Sequence, residues 1–479
     1  MPLRAKILNP AVSGNRSYSM ETDLVKPQPG DEEDDVLFGS IYGVRTVELN
    51  RPKKLNSLNG SMARKIIARL REWEKSQLAN VIVIKGAGRA FCAGGDVAAL
   101  AKWNTEGPEG QQKSKDYFAL EYKLDHLIAT YSKPYVAFMD GITMGGGVGL
   151  STHAPFRIAT ENTVFAMPET TIGFFPDVGA SFFLTRMDGN MGTYLALTSE
   201  QLKGEDVFKH QLPQHRHALH PLLLLPELEA RLAELKFKDY DDLSHRYQTI
   251  NSTIEEFVTG LSTSRPTISG DQRLAIDQIF NPHRDIKSIL SDLHLITEKP
   301  YGAGLSDWAA KTAHTMQQRS PTSVLVALKQ MRDGRGWNIA ETFQREHLIA
   351  SHFMEHPDFV EGVTARLVRR QKERPNWQPG SFEEVSEEAV EEFFKGEPSL
   401  QLLKEQSERS AYREYPHQRI VGLPTEQDFA GALREGTSKE EMVQQFAQQT
   451  NAKVGVQEKL GEYLERRERA KELGIKGYY

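Results

Sequence analysis

Apolar and polar positions along this chain follow two rhythms. Short runs with period two, or with no polar break, read as strands: SIYGVRTVEL at 40–49, VIVIK at 81–85 and YVAFM at 135–139. Between them the spacing becomes helical. Ile66, Ile67, Leu70 and Trp73 fall on one face of a segment that Ser61 would cap and that runs to about Gln77. Leu120 to Tyr131 reads as a second helix, and Val148 to His153 as the first turns of a third. Strand–helix alternation of this kind predicts a layered α/β core.

The turns that follow two of these strands carry the candidate chemistry. GAGRAFCAGGDV at 86–97 follows one strand, and GITMGGGVGL at 141–150 follows the other. Glycine lets backbone approach a ligand closely. A helix start presents free N–H groups at the positive end of the helix dipole. Two such turns can bring two N–H groups to one carbonyl oxygen on which negative charge develops. A glycine triplet alone more often marks a tight turn; the pair is what directs attention here. Neither turn is a nucleotide fingerprint, because there is no GxxxxGK[ST] and GGGVGL lacks the spacing of GxGxxG. Downstream, Met-Pro-Glu at 167–169 and Phe-Pro-Asp at 175–177 set Glu169 and Asp177 eight residues apart, each behind a proline that fixes the local backbone.

Composition narrows the field. The single cysteine, Cys92, excludes an internal disulfide and a cysteine-based zinc site. It reads as a small buried residue rather than a nucleophile. His153 reads as a packing or capping histidine. A net charge of −6 makes no bulk case for nucleic acid, and no apolar run approaches a membrane span, so no membrane partner is expected. Residues 1–20 hold Arg4, Lys6 and Arg16 and no acid, the composition of a mitochondrial presequence or a loose tail, and KPQPGDEEDD at 26–35 reads as a linker. Residues 1–39 are therefore expected to form a presequence-like and acidic linker segment.

Past residue 380 the chain runs on far enough for a small extra unit. Phe382 to Phe394 is acid-rich and helical in pattern, and Ser438 with Glu441 forms a capping-box signature for a helix to Gln449. Val454 to Leu473 is charged all round, so it is expected outside any core, as a solvated tail or a docking element.

Taken together, several stretches resemble the crotonase (enoyl-CoA hydratase/isomerase) superfamily, and more closely its 3-hydroxyisobutyryl-CoA hydrolase branch. They are NRPKKLNSLN at 50–59, GRAFCAGGDV at 88–97, the run from Lys133 to Thr170, IGFFPDVGASFFLTR at 172–186, SPTSVLVALKQM at 320–331, and DFVEGVTARLV at 358–368 followed by PNW at 375–377. The resemblance implies an α/β spiral of stacked ββα units over residues 40–380, with a helical extension at 381–479. It implies an acyl-CoA thioester substrate, coenzyme A being part of the substrate, with no cofactor and no metal. It carries over an oxyanion hole onto the backbone N–H groups of Gly95 and Gly146. Glu169 becomes the catalytic carboxylate, either attacking the carbonyl or activating water. Asp177 would accept the substrate's 3-hydroxyl or help orient and protonate. Glu121 becomes a substrate contact, and Lys53 and Lys54 contacts to coenzyme A. A hydratase of the superfamily has a second glutamate just after its glycine triplet, where this chain has Gly149, and that weighs against hydration.

The implied activity is hydrolysis of 3-hydroxyisobutyryl-CoA in mitochondrial valine degradation, in the matrix. The alternative is structural. Fungal relatives of the branch include a hydrolase homologue built into the small subunit of the mitochondrial ribosome, whose partners would be ribosomal proteins and rRNA. Superfamily members are often trimers or hexamers, so a homo-oligomer is also expected. Two departures stand out. Gly179-Ala180-Ser181 replaces three glycines, which is expected to narrow the acyl pocket slightly. HQLPQHRHALHPLLL at 210–224 replaces a GIATH-like segment. Codons for His217 to Leu224 can be chosen that, read one base later, give Thr-His-Tyr-Ile-His-Ser-Ser-Ser. A frame error in the gene sequence would explain the misfit, and a tryptic peptide reading HALHPLLL would sink that explanation.

Overall fold

A computed structural model describes residues 25–209, 218–219, 221–238, 241–258, 266–298, 303–404, 407 and 409–475. The presequence expected at 1–20 and most of the divergent segment at 210–224 lie outside the described residues.

Among the described residues ten strands form two sheets. The larger contains β1 (Val36–Ile41), β2 (Val44–Leu49), β3 (Val81–Gly86), β5 (Tyr135–Met139), β7 (Phe156–Thr160) and β10 (Ala218–Leu219), in that order. The smaller contains β4 (Ala90–Cys92), β6 (Ile142–Met144), β8 (Val164–Ala166) and β9 (Leu202–Lys203). Among the described residues only the β1–β2 and β8–β9 pairs are antiparallel. Each successive pair β3/β4, β5/β6 and β7/β8 contributes one strand to each sheet and then turns into a helix or helical turn. Those are α2 (Val97–Asn104), α4 (Gly146–Thr152) and the 3₁₀ turn Glu169–Ile172. This is the stacked ββα spiral that the resemblance implies.

The unbroken apolar character of β3 and β5 follows from covering on both faces. Ile82, Ile84, Ala137 and Met139 enter the main core, whereas Val81, Val83, Val136 and Phe138 enter a second cluster with Leu225, Leu228 and Tyr247. Leu225 and Leu228, just past the divergent segment, cover one face of the larger sheet.

Three helices differ from the sequence expectation. α1 spans Gly60–Lys75, and its cap is Asn59 rather than Ser61, because the Asn59 side chain accepts from Met62 N at 2.9 Å. α3 runs from Pro108 to Ala129, starting twelve residues before the expected Leu120, since Pro108 serves as a first-turn residue for a polar opening stretch. The helix expected over 382–394 is a 3₁₀ turn, Phe382–Glu384, and a short helix, Glu387–Glu392. Two long helices pack nearby, α5 (Pro321–Gly334) and α6 (Ile339–Phe353).

The residues past 380 divide by packing. Phe382, Phe393, Leu400, Tyr412 and Tyr415 join the main core. The last three helices, α7 (Glu426–Arg434), α8 (Lys439–Gln449) and α9 (Val456–Glu472), enclose a separate small core of Phe429, Met442, Phe446, Leu460 and Tyr463. The capping box at Ser438 and Glu441 forms as its residues suggest. The expectation for α9 is corrected. Val456, Leu460 and Tyr463 lie at helical spacing and are buried. A stripe that narrow suffices because α7 and α8 cover it and the long stems of Lys459 and Arg466 flank it. Among the described residues no helix is long and apolar enough to cross a membrane.

Candidate functional site

The two glycine turns meet. Leu58 N donates to Gly94 O and Asp96 N donates to Leu58 O, both at 2.8 Å, which fixes the first turn and leaves the Gly95 N–H without an acceptor among the described residues. Gly145, at φ +46°, swings the chain into α4. Gly146 opens that helix, so its N–H has no intrahelical acceptor. A Cβ on Gly146 would lie 3.3 Å from the Gly95 nitrogen, so the two turns approach each other closely.

Across this gap lies α3, with Tyr117, Glu121 and Asp125 at four-residue spacing on one face. Each sits over a glycine. The Tyr117 hydroxyl is 3.0 Å from the Cβ position of Gly95, Glu121 Oε1 occupies the Cβ position of Gly146, and Asp125 Oδ2 is 2.6 Å from that of Gly149. Three missing side chains on the glycine turns are thus sockets for three polar side chains of α3. Gly149, where a hydratase has its extra glutamate, faces an aspartate delivered from another helix.

Glu169 opens the 3₁₀ turn after Pro168, and its Oε1 is 3.0 Å from the Cβ position of Gly145. Asp177 accepts a hydrogen bond from the Tyr122 hydroxyl at 2.7 Å. The turn that holds it is clamped from three sides. Gln330 on α5 donates to Pro176 O at 2.5 Å. Glu346 on α6 accepts from Gly179 N at 2.6 Å and Ser181 N at 2.9 Å. His153 Nε2 lies 2.8 Å from Val178 O, and its Nδ1 lies 2.9 Å from the Tyr415 hydroxyl. Burial pushes His153 down to about 4, so the ring is neutral: Nε2–H donates to Val178 O and Nδ1 accepts from Tyr415. The clamp holds Val178 at φ +52°, a conformation a valine does not take unassisted. The Ser181 hydroxyl also bonds Glu346, at 2.6 Å, which gives the departure from glycine at 181 a use in the clamp.

The electrostatics are one-sided. Glu121, Asp125, Glu169, Asp177 and Glu346 are all buried. Burial pushes Glu121, Asp125 and Glu169 well above the usual carboxyl range, and neighbouring acids push in the same direction. Asp177 is pushed up to about 7 by burial, against the hydrogen bond from Tyr122. Glu346 is pushed up to about 8 by burial, against the bonds from Ser181 and Gly179. No lysine or arginine contributes to any of these shifts. Glu121 Oε1, both Asp125 oxygens and Glu169 Oε2 are buried without a hydrogen-bond partner. Cys92 is buried and its thiol is pushed up to about 12, so no thiolate nucleophile is available. Among the described residues no group of three or more histidine, cysteine or acidic side chains is placed to hold a metal ion.

Lys53 and Lys54 ride on a 3₁₀ turn, Pro52–Lys54, and are exposed. Lys54 Nζ is 3.3 Å from Asp96 Oδ2, next to Gly95. The structure therefore joins Gly95, Gly146, Glu121 and Glu169 into one wall, ties Asp177 to it through α3, and leaves the lysines beside its rim. Sequence reasoning missed Tyr117, Tyr122, Asp125, Gln330 and Glu346. The four-residue spacing of Tyr117, Glu121 and Asp125 is a usable signal once the longer α3 is known. Glu346, more than 160 residues from the turn it clamps, leaves no local signal.

Such a wall can polarise a carbonyl oxygen with two amides while holding a carboxyl group beside it. The chain is similar to several known proteins. A carnitinyl-CoA dehydratase from Mycobacterium thermoresistibile is 30% identical with TM-score 0.67, covering 78% of this chain and 100% of its own. An enoyl-CoA hydratase from Rhodobacter sphaeroides 2.4.1 is 29% identical with TM-score 0.63, covering 75% and 97%. The small ribosomal subunit protein mS47 of Neurospora crassa is 52% identical over 472 residues, 97% of this chain and 91% of its own. The mitochondrial 3-hydroxyisobutyryl-CoA hydrolase of Gallus gallus is 40% identical over 371 residues, 76% of this chain and 90% of its own. The family described as Enoyl-CoA hydratase/isomerase matches residues 44–394. This chain belongs to the enoyl-CoA hydratase/isomerase family, in the branch that holds the hydrolase and mS47 relatives.

Proposed function

We propose that this chain hydrolyses 3-hydroxyisobutyryl-CoA, or a closely similar short 3-hydroxyacyl-CoA thioester, to the free acid and coenzyme A in the mitochondrial matrix. The observation that carries this reading is the pair of acceptor-free amides at Gly95 and Gly146, with the Glu169 carboxyl on the same wall. The thioester oxygen accepts from both amides, and each such donor is worth roughly 3–4 kcal/mol as negative charge builds on that oxygen. The Glu169 carboxylate either adds to the carbonyl carbon, expelling the CoA thiolate and leaving an anhydride for water to cleave, or takes a proton from water as it adds. Asp177, anchored by Tyr122, takes the substrate's 3-hydroxyl, and Glu121 touches the acyl group. Lys53 and Lys54 serve the phosphates of coenzyme A from the rim.

The test is release of free thiol from 3-hydroxyisobutyryl-CoA by wild type and Glu169→Gln. The expected loss in the variant is about 10³-fold or more. A folded wild type that binds the ester without cleaving it overturns the reading.

A second role is favoured by one observation. The mS47 relative aligns over 472 residues, 97% of this chain, and the Gallus gallus hydrolase over 371, 76% of it, so the ribosomal relative matches more of this chain than the hydrolase does. On that ground the chain is also a component of the mitochondrial small ribosomal subunit. Co-sedimentation of the full chain with that subunit at physiological salt is the expected result, and recovery only in the free fractions removes this role.

A further inference from the structure

Glu346 lies on α6 and, among the described residues, bonds to neither glycine turn. Its carboxyl group ends instead at the segment behind Asp177. There the chain enters a short helix, Ala180–Phe183, whose cap position is Gly179. A side chain at 179 would collide with His153 Nε2, so none fits there, and glycine has no side-chain oxygen with which to cap. Val178 and Gly179 are both in the left-handed region, at φ +52° and +88°, which a valine holds only under constraint. The missing cap comes from across the fold. Glu346 Oε2 accepts from Gly179 N at 2.6 Å, and Oε1 accepts from Ser181 N at 2.9 Å and from the Ser181 hydroxyl at 2.6 Å. Gln330 donates to the same hydroxyl at 2.8 Å as well as to Pro176 O.

The same helix supports the other hold on Asp177. The Tyr122 hydroxyl donates to Asp177 Oδ2 at 2.7 Å, and its ring packs against Phe343 and His347 of α6, with ring centroids 6.3 Å and 6.4 Å away. Tyr122 fixes one oxygen of the carboxyl group, and the backbone that Glu346 caps fixes where the side chain starts. α6 therefore locates Asp177 from both ends, and neither hold bonds to Gly95 or Gly146.

We propose that Glu346 is a positioning residue for substrate selection: by capping the turn after Asp177 it sets the place of the Asp177 carboxyl group, and with it the preference of the site for acyl groups that carry a 3-hydroxyl. This rests on the hydrolase reading, which gives Asp177 the substrate's 3-hydroxyl. Replacing Glu346 by glutamine keeps the volume but turns one acceptor oxygen into an NH₂ donor, which faces an N–H of the turn, and that end of the cap is lost. The two amides are left in place, so an acyl group without a 3-hydroxyl should bind as before.

The test compares two probes and needs no turnover. They are ketone analogues of 3-hydroxyisobutyryl-CoA and isobutyryl-CoA, each with a methylene between sulfur and carbonyl, and calorimetry on the full chain gives their affinities. Wild type is expected to bind the hydroxyl-bearing analogue about tenfold more tightly or better, as one hydrogen bond to a carboxyl group allows. In Glu346→Gln the preference falls to about threefold or less, through weaker binding of the hydroxyl-bearing analogue alone. Ser181→Ala removes one of the three bonds and should lower the preference about two- to threefold; it carries the test if Glu346→Gln does not fold. In Asp177→Ala the preference is abolished, and adding Glu346→Gln or Ser181→Ala changes it no further. A preference that survives in the folded variant overturns the proposal, as do an equal loss for both analogues and a wild type that binds both alike. Hydroxyl-selective binding by a wild type that leaves the thioester uncleaved overturns the hydrolase activity and leaves this comparison standing; a wild type that binds neither analogue overturns both.

Discussion

Asp125 and Asp188 are two largely enclosed aspartates that behave in opposite ways. Burial alone would push Asp188 up, yet it is held below the usual carboxyl range by the charge and hydrogen bond of Lys459, 3.0 Å away, helped by Glu426 N–H and Arg273. Around it Arg273 pairs with Asp277 and Glu426, and Arg466 pairs with Glu426. Every acid of this seam meets a base, and the seam is where the three C-terminal helices join the core. The wall at Gly95 and Gly146 is at least as deeply buried, has five acids and no base, and leaves Asp125, Glu121 and Glu169 with unmet oxygens. Burial therefore does not set the sign of the shift. A supplied cation does.

The comparison can be broken in several ways. Gly146→Ala should have the largest effect, because its Cβ meets Glu121 Oε1 and crowds the Gly95 nitrogen. Thioester cleavage should fall about 10²–10³-fold, close to the loss of one oxyanion donor, while the melting temperature moves little. Lys459→Met attacks the other region by leaving Asp188 without its cation. Undocking of the last three helices should appear as an early step in denaturant unfolding, about 3–5 kcal/mol less stable, with cleavage unchanged. An unfolding curve that superimposes on wild type would show that the seam contributes nothing.

The pH dependence separates the regions by sign. Asp188, lowered in the fold, adds stability above its ordinary range that is lost as pH falls through its folded value. Asp177, raised to about 7, makes folding less favourable as pH climbs from the ordinary range toward 7. Asp188→Asn should therefore cost more stability at pH 7 than at pH 3, and Asp177→Asn should gain stability between pH 4 and pH 7; unfolding series at these pH values read both. The smallest effect is expected at the exposed rim, where Lys54→Ala should raise KM about two- to fivefold at low salt and progressively less as salt is added.

How much of this was legible beforehand depends on range in sequence. The glycine turns, Glu169 and Asp177 lie within short stretches whose spacing carries their geometry; strand–helix alternation predicts only a layered α/β core, and the spiral is what the family resemblance implies. The start of α3 at Pro108 was not legible, because its opening residues are polar and exposed and lack an apolar period. The clamp of Glu346 and Gln330 was invisible because tertiary packing alone joins it to the Asp177 turn. The helix α9 misled for a related reason: its apolar stripe is narrow enough to look solvated until α7 and α8 are seen to cover it.

The reach of Tyr415 into the His153 clamp has a consequence for the order of events during synthesis. Gly95, Glu121, Gly146, Glu169 and Asp177 all lie before residue 178, yet the segment around Tyr415 braces them late. Ser410 O bonds His126 at 2.8 Å, the Tyr412 hydroxyl donates to Ala129 O at 2.9 Å, and Tyr415 supports His153. A nascent chain can build its spiral as it emerges, but α3 and the Asp177 turn gain their last struts only after more than four hundred residues have been translated. A premature stop near residue 400 would then yield a protein with every side chain of the wall in its sequence and no late struts to brace it.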